Sequence, residues 1–432
     1  MSKFTEVLKK RNFFLLWLGQ IVSQLGDRLD QMALIGFIYA RSPGSTWEIA
    51  KMLSFTIIPV FLIGPVAGVY VDRWDRRRTM YVCDFLRAAL VLTIPLFLFY
   101  TRHLSAIYLI IFIVFCVGRF FVPAKLAIIP ELVPKNDLLL ANSLVNTTGM
   151  IAAVLGFGIS GVLVEKWGAQ VGFYLDSLSF LFSGTLIFLI AKKFNFTTGS
   201  LSSISPAAVG ANITKVGIEI VDVIKKSVLQ EIKEGIIYFV KNKSIRFTTV
   251  ILFVLFSGLG AIYVVLIVFV QRTLHSATKD LGLLIMFLGI GLFVGSLLYG
   301  RFGQKVSPFK VIFGSLIFSG VMLVVFALVL PHYPCFLVAG ALSLCLGIMV
   351  SPIMIATNTI IHQASDNGMM GKIFSSLEIV MHLGFLLFMF ISSFLAEKFS
   401  PGIILICVGV LFSILGAFNV ILYYYRRFPH PE

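Results

Sequence analysis

The chain has 432 residues, of which 58% are hydrophobic and only 13% charged, and its mean hydropathy is +0.98. Soluble domains run nearer half apolar and a quarter charged, so water-soluble globular, disordered, collagen-like and disulfide-scaffold classes are excluded and a polytopic membrane protein remains. The net charge of +15 would point to nucleic acid in a soluble protein; here it fits the Lys and Arg that membrane proteins collect in their cytoplasmic loops, and no nucleic acid partner is expected.

At about 20 apolar residues per crossing, this length holds roughly 12 helical crossings and leaves too little mass for a separate catalytic domain. Lys9, Lys10 and Arg11 precede an apolar run too long for a cleaved signal peptide, which is read as the first span. Spans are predicted at 13–40, 47–71, 80–100, 105–130, 142–164, 169–191, 246–271, 280–302, 309–330, 334–359, 373–396 and 401–425. The long connection is 192–245. It opens with a Ser/Gly/Ala-rich stretch and continues as a basic segment in which Val228, Ile232, Ile236 and Phe239 recur at helical spacing, as an amphipathic helix on a membrane surface would show. Placing the N-terminus, the 72–79 loop, the long connection and the C-terminus on one side puts 24 of the 35 Lys and Arg there, 7 on the other side and four within spans. That bias makes both termini cytoplasmic. The five cysteines (Cys83, Cys116, Cys335, Cys345, Cys407) all lie in apolar stretches without metal-ligand spacing, and neither a metal nor any other cofactor is expected.

The halves look like copies. Asp72–Arg77 aligns with Gly300–Lys305 at an offset of 228, Pro123 with Pro352 at 229, and Glu165-Lys166-Trp167 with Glu397-Lys398-Phe399 at 232. The expected fold is therefore an all-α membrane protein of 12 transmembrane helices in two pseudo-symmetric six-helix bundles. The bundles would be 1–191 and 246–432, joined by the 192–245 linker. Repeated halves around a midplane site are the build of secondary transporters.

An ionisable group at a span centre costs about 2.5–3.5 kcal/mol on insertion scales, so such groups must be paired, wet or protonated. The first span carries Asp27, Arg28 and Asp30. At 100° per residue, Gln20, Gln24, Asp27 and Gln31 share one face, with Ser23 and Asp30 to one side and Arg28 to the other, and this stripe is expected to line an aqueous cavity. A hydrogen-bonded seam between helices is the alternative. Arg119 lies near the centre of the fourth span if that helix continues past Pro123, and it would then partner Asp27 or Asp30. Glu378 and His382 share a face of the eleventh span; they are read as a second titratable cluster or substrate contact, or as a pair that fixes helix packing. Gly156–Gly161 matches G-x-G-x-x-G literally but sits mid-span with no strand before it, so a dinucleotide site is rejected. Its glycines, like Gly64 and Gly68, are expected to allow close helix contact. No nucleophile elbow, P-loop or metal-binding helix motif is present, and the chain is not expected to be an enzyme.

Gly68-Val-Tyr-Val-Asp72-Arg73-Trp-Asp75-Arg76-Arg77 resembles the G-x-x-x-D-R-x-x-R-[RK] signature between helices 2 and 3 of the major facilitator superfamily. Ser23–Asp27, Pro43–Ser45, Gly64-Pro65, Pro123-Ala124 to Leu132-Val-Pro134, Ala141–Ser143, Asp176–Phe180 and Glu231–Gly235, taken in order, resemble the drug:proton antiporter branch that includes macrolide-efflux proteins and the enterobactin exporter. The resemblance implies alternating access between two bundles. It also implies a cytoplasmic latch in which Asp72 meets the start of the eleventh span while Arg73, Arg76 and Arg77 hold carboxylates and helix ends. Arg119 resembles the fourth-span arginine tied to proton coupling. The sequence departs from the pattern twice: Gly300 stands where the second signature would carry an acid, and Phe157 follows Gly156 where related antiporters show proline.

The combined expectation is a monomeric, proton-coupled exporter of a small amphipathic molecule in a bacterial inner membrane. Asp27, Asp30 and Arg119 would exchange protons, and substrate would meet Gln20, Gln24, Gln31, Tyr263, Glu378 and His382. The alternatives are an importer of a nutrient or lipid metabolite on the same fold, a non-transporting receptor, or an intramembrane enzyme.

Overall fold

The computed structural model describes residues 4–71, 74–100, 104–191, 243–303, 306–364 and 370–425. Among them are a short helix at Phe4–Leu8 and twelve long ones: α1 (Arg11–Arg41), α2 (Thr46–Val71), α3 (Arg76–Tyr100), α4 (Leu104–Leu132), α5 (Leu138–Trp167), α6 (Ala169–Phe188), α7 (Lys243–Leu274), α8 (Lys279–Phe302), α9 (Pro308–His332), α10 (Phe336–Ala364), α11 (Met370–Lys398) and α12 (Pro401–Tyr425). All twelve predicted spans are present. Eleven are long and apolar enough to cross a membrane by length and composition alone; α1 is the exception, because its centre carries the polar stripe. Several helices extend two to four residues beyond their apolar runs, since a helix satisfies its own backbone beyond the hydrocarbon region. α4 runs unbroken through Pro123, and its repeat equivalent Pro352 likewise sits inside α10. The 192–242 part of the predicted linker, with its amphipathic segment, lies outside the described residues.

Contacts divide the chain into two units. The first comprises Met1–Gly26, Phe55–Met150 and Tyr174–Glu234, the second Asp27–Ser54, Ile151–Phe173 and Gly235–Glu432. This division differs from the two sequence halves, because residues 27–54 and 151–173 bond to the turns and helices of the C-terminal half, as described below. The core of the first unit is built on Phe13, Leu16, Met80, Phe121, Ile129 and Ile187. In the second it is built on Leu255, Ile312, Phe313, Ile353, Ala356 and Phe412.

Helix pairing repeats between halves. In the second unit α7 packs along α11, α8 along α10 and α9 along α12. In the first unit the equivalent pairs touch as well. Trp17 of α1 donates its indole N–H to Thr148 of α5 at 3.0 Å. Phe55 of α2 stacks on Tyr108 of α4 at 5.5 Å. Ser177 of α6 donates to the Ala88 carbonyl of α3 at 2.8 Å. Small residues permit these approaches: on α9 and α12, Gly320 and Gly409 lie so close to the opposing backbone that a methyl on either would collide.

The repeat is sharpest where the second unit joins residues of both halves. Thr46, the first residue of α2, donates its hydroxyl to the Ser393 carbonyl of α11 at 2.9 Å. Thr278, at the start of α8, donates to the Gly161 carbonyl of α5 at 2.9 Å. Thr46 and Thr278 lie 232 positions apart, as do Gly161 and Ser393, the offset already seen for Glu165 and Glu397. Beside them Trp47 packs edge-on to Phe390 at 5.6 Å, and Arg272 donates to the Gly44 carbonyl at 3.0 Å. Gly44 has φ +75°, a conformation that suits glycine, and a Cβ there would press on the Arg272 guanidinium.

Candidate functional site: the polar centre of the first helix

The stripe on α1 is packed rather than bare. Gln20, Ser23 and Asp30 are buried, while Gln24, Asp27, Arg28 and Gln31 are half-buried. Its first part belongs to the first unit and forms a seam. The Gln24 amide lies over Gly149 of α5, where an added methyl would come within 2.9 Å of its oxygen. At Gly26 a methyl would come within 2.5 Å of the Asp176 carboxylate of α6. Asp176 itself accepts from Ser179 at 3.2 Å.

The rest of the stripe, from Asp27 on, belongs to the second unit. Arg28 donates from Nη1 to the Gln31 side-chain oxygen at 2.9 Å. Its guanidinium carbon lies 4.8 Å from the centre of the Phe157 ring of α5, within cation–π range. It also acts electrostatically on the Tyr263 phenol of α7. Arg28 Nε has no hydrogen-bond partner, and among the described residues no ion pair engages Arg28. Asp30, 6% exposed, has an oxygen without a hydrogen-bond partner, and Asp27 is the charge felt at Asp30. Helix geometry turns the arginine away from Asp30. Asp30 stands about 200° around the helix from Arg28 and Asp27 about 100°.

Tyr263 joins this cluster to a cavity of about 150 Å³ within the second unit. The cavity is walled by Leu266, Leu284, Leu288, Leu323 and Phe326, with Ser319 and Ser343 as polar points. The Tyr263 ring also lies 6.0 Å from that of Phe385 on α11. Further along α11, the His382 ring Nδ1–H donates to the backbone carbonyl of Glu378 at 2.8 Å; this bond is to the main chain, one turn back, rather than to the carboxylate.

Arg119 and the residues of the loop signature belong to the first unit. Arg119 is half-buried in α4, one turn from Cys116 and in its electrostatic reach. Of the signature, Gly68 is helical in α2, and Asp72 and Arg73 lie outside the described residues. Arg76 forms an ion pair with Glu131 of α4 and donates to the Ala127 carbonyl at 3.1 Å. Arg77 donates to the Ile187 carbonyl at 3.2 Å and to that of Phe188, at the C-terminus of α6. A cation is favoured there by the helix dipole. Asp75 accepts from the Arg78 N–H at 2.9 Å at the start of α3. Gly158 and Gly161 make the close contacts expected of them, against Met286 and Gly282 of α8, whereas Gly64 has no atom within 4 Å of its Cβ position. Among the described residues the expected contact at Gly64 is not made.

Three features escaped the sequence. Asp84 and Arg87 form a buried ion pair on α3, with Ser183 of α6 donating to Asp84 at 2.7 Å and the guanidinium 4.1 Å from the Phe180 ring centre. Their i, i+3 spacing inside an apolar run was the available signal. Glu165, at the end of α5, accepts from Ser276 Oγ at 2.9 Å and from the Thr278 and Lys279 N–H groups at 2.8 and 2.9 Å, so it caps α8. Phe157, visible in the sequence only as a departure from a pattern, is the platform beneath Arg28.

Twelve long helices among the described residues, eleven of them apolar enough to cross a membrane and the first carrying amide and charged side chains, define a polytopic membrane protein of the transporter type. The chain matches the model of the transmembrane secretion effectors over residues 2–195 and that of the major facilitator superfamily over 248–432. It belongs to the major facilitator superfamily. It is 26% identical to the uncharacterised MFS-type transporter YkuC of Bacillus subtilis over 85% of this chain and 81% of that one. It is 23% identical to macrolide efflux protein A of Streptococcus pyogenes over 93% and 95%. Among solved structures it shares the fold of the peptide transporter POT in complex with alafosfalin (TM-score 0.69, 15% identity, 98% and 99% covered). It also shares that of a bacterial homologue of the iron transporter ferroportin in an inward-facing state (TM-score 0.68, 15% identity, 95% and 98% covered).

Proposed function

We propose that this protein is a proton-coupled exporter of a small amphipathic molecule, working by alternating access between six-helix bundles 1–191 and 246–432. The observation that carries the reading is the acid pair of α1. Asp30 is buried with an unbonded carboxyl oxygen, and Asp27 stands three residues before it. Inside a span such a group must be paired, wetted or protonated, and a carrier that alternates between wet and dry states moves a proton by switching among these. Asp27 and Asp30 exchange the proton in this scheme and Arg119 biases it. The likeness to macrolide efflux protein A supports the outward direction. The Lys and Arg bias supports cytoplasmic termini in a bacterial inner membrane, and the chain acts as a monomer. Asp72, Arg73, Arg76 and Arg77 latch the cytoplasmic side; the grip of Arg76 on Glu131 and of Arg77 on the end of α6 supports part of that role.

The test is proton flux in inverted vesicles carrying the protein and a lumenal pH dye. Vesicles are acidified and challenged with drugs, siderophores and metabolites. The expected result is compound-dependent proton efflux that Asp27→Asn abolishes while membrane levels of the protein stay unchanged. Proton-driven flux that persists in Asp27→Asn would overturn the assignment.

A further inference from the structure

We propose that Arg28 is the binding group for a substrate carboxylate, and that the transported molecule is an amphipathic organic acid whose apolar part enters the cavity beyond Tyr263. The inference rests on the transporter reading above and names its substrate class. A guanidinium stays charged wherever it is buried, and one placed near the middle of a span is costly unless its charge is answered. Arg28 is answered by a neutral amide, Gln31, and by the face of Phe157. Neither carries a negative charge, and neither engages Nε. Stacking on Phe157 fixes the plane of the guanidinium and leaves its edges for in-plane hydrogen bonds, the geometry in which arginine takes a carboxylate in bidentate fashion.

The apolar half of the ligand follows from the cavity. Tyr263 lies in the field of Arg28 and also lines the 150 Å³ space walled by leucines and Phe326. An apolar cavity of about that size holds a benzene ring. A molecule with a carboxylate at Arg28 and a phenyl-sized group past Tyr263 would satisfy both, and every residue involved lies within one unit. Cationic amphiphiles are disfavoured by the same argument, since they would place like charge against Arg28.

The experiment measures binding and therefore does not depend on proton flux. Purified full-length protein in nanodiscs is tested by competition with radiolabelled 4-phenylbutyrate, using 4-phenylbutyramide and 4-phenylbutylamine as probes of the same shape, with empty nanodiscs subtracted. The acid is expected to bind about 10- to 100-fold tighter than the amide, the range of a hydrogen-bonded charge contact. Arg28→Gln should erase that preference, and Arg28→Lys should keep part of it. Equal binding of acid and amide by the native protein overturns the proposal without any variant. So does preference for the amine, a preference that survives Arg28→Gln, or no saturable binding of any of the three. If native protein prefers the acid but shows no coupled flux, the carboxylate site stands and proton-coupled export falls. If flux of cationic compounds is lost in Asp27→Asn and the native protein shows no acid preference, proton-coupled export stands and the carboxylate site falls.

Discussion

Asp84 and Arg87 show why a charge can be tolerated inside an apolar bundle and what it then demands. Asp84 is 0% exposed and Arg87 is 7% exposed, and the pair is enclosed by Ser183, Phe121 and Phe180. Removing one partner of a buried pair is costly, about 3–5 kcal/mol, because the remaining charge stays desolvated, whereas replacing both with apolar groups is often neutral. Asp84→Ala is therefore expected to lower the midpoint of heat-induced loss of monodisperse protein sharply. The double variant Asp84→Leu with Arg87→Met should recover most of the loss. A single variant as stable as the native protein would show that the pair contributes nothing to the fold. Arg28 is the contrasting case, a span cation met by an amide and an aromatic face. Sequence reading singled out Arg28 and passed over Arg87. Composition shows that a charge lies in a span; only tertiary partners such as Ser183 or Phe157, from helices far along the chain, show whether it is answered.

Whole helices were the most legible elements, for a physical reason. A span must be apolar along its length and satisfy its backbone internally, so each leaves a continuous signal that tertiary context cannot erase. Continuity of α4 past Pro123 was readable because the apolar run resumes beyond it. Helix ends and crossings were less legible. Gly64 looks like a crossing glycine yet meets nothing, while Gly282, which sequence reading passed over, lies against the backbone of α5. The cap of α8 was equally hidden, because Glu165 comes from another helix. A carboxylate at a helix N-terminus is favoured by the dipole, but this one is exposed, so solvent screens it and its worth is about 1 kcal/mol. Glu165→Gln is expected to speed amide exchange in the 274–284 peptide by about fivefold, read by hydrogen-exchange mass spectrometry, with little change elsewhere. Unchanged exchange there would mean that the cap does not hold the start of α8.

At the scale of the molecule the repeat is more than a likeness of strings. The donations from Thr46 to Ser393 and from Thr278 to Gly161 share the same 2.9 Å and the same 232-residue offset, and Ser393 adds a return bond to the Thr46 carbonyl at 3.2 Å that Gly161, without a side chain, has no means to make. Both threonines are buried, at 1% and 0% exposure. Each stands at the start of the second helix of its half, on the side that the Lys and Arg bias assigns to the exterior. A carrier working by alternating access, as proposed above, must break and remake its contacts on that side in every cycle, and contacts placed alike in the two halves can open together. Valine keeps the shape of threonine and removes the hydroxyl donor, so under the proposed alternating access Thr46→Val and Thr278→Val should each weaken these contacts by about 1 kcal/mol. The check is the labelling rate of a cysteine introduced at Ser45, measured from the exterior in a variant lacking the five native cysteines. Each valine is expected to raise the rate by about fivefold, to within a factor of two of the other. If the two bonds open as one step, their free energies add and the double variant should match the product of the singles. A rate that responds to one threonine and ignores the other would show that the matching bonds are inherited geometry, with a single contact holding the exterior side closed.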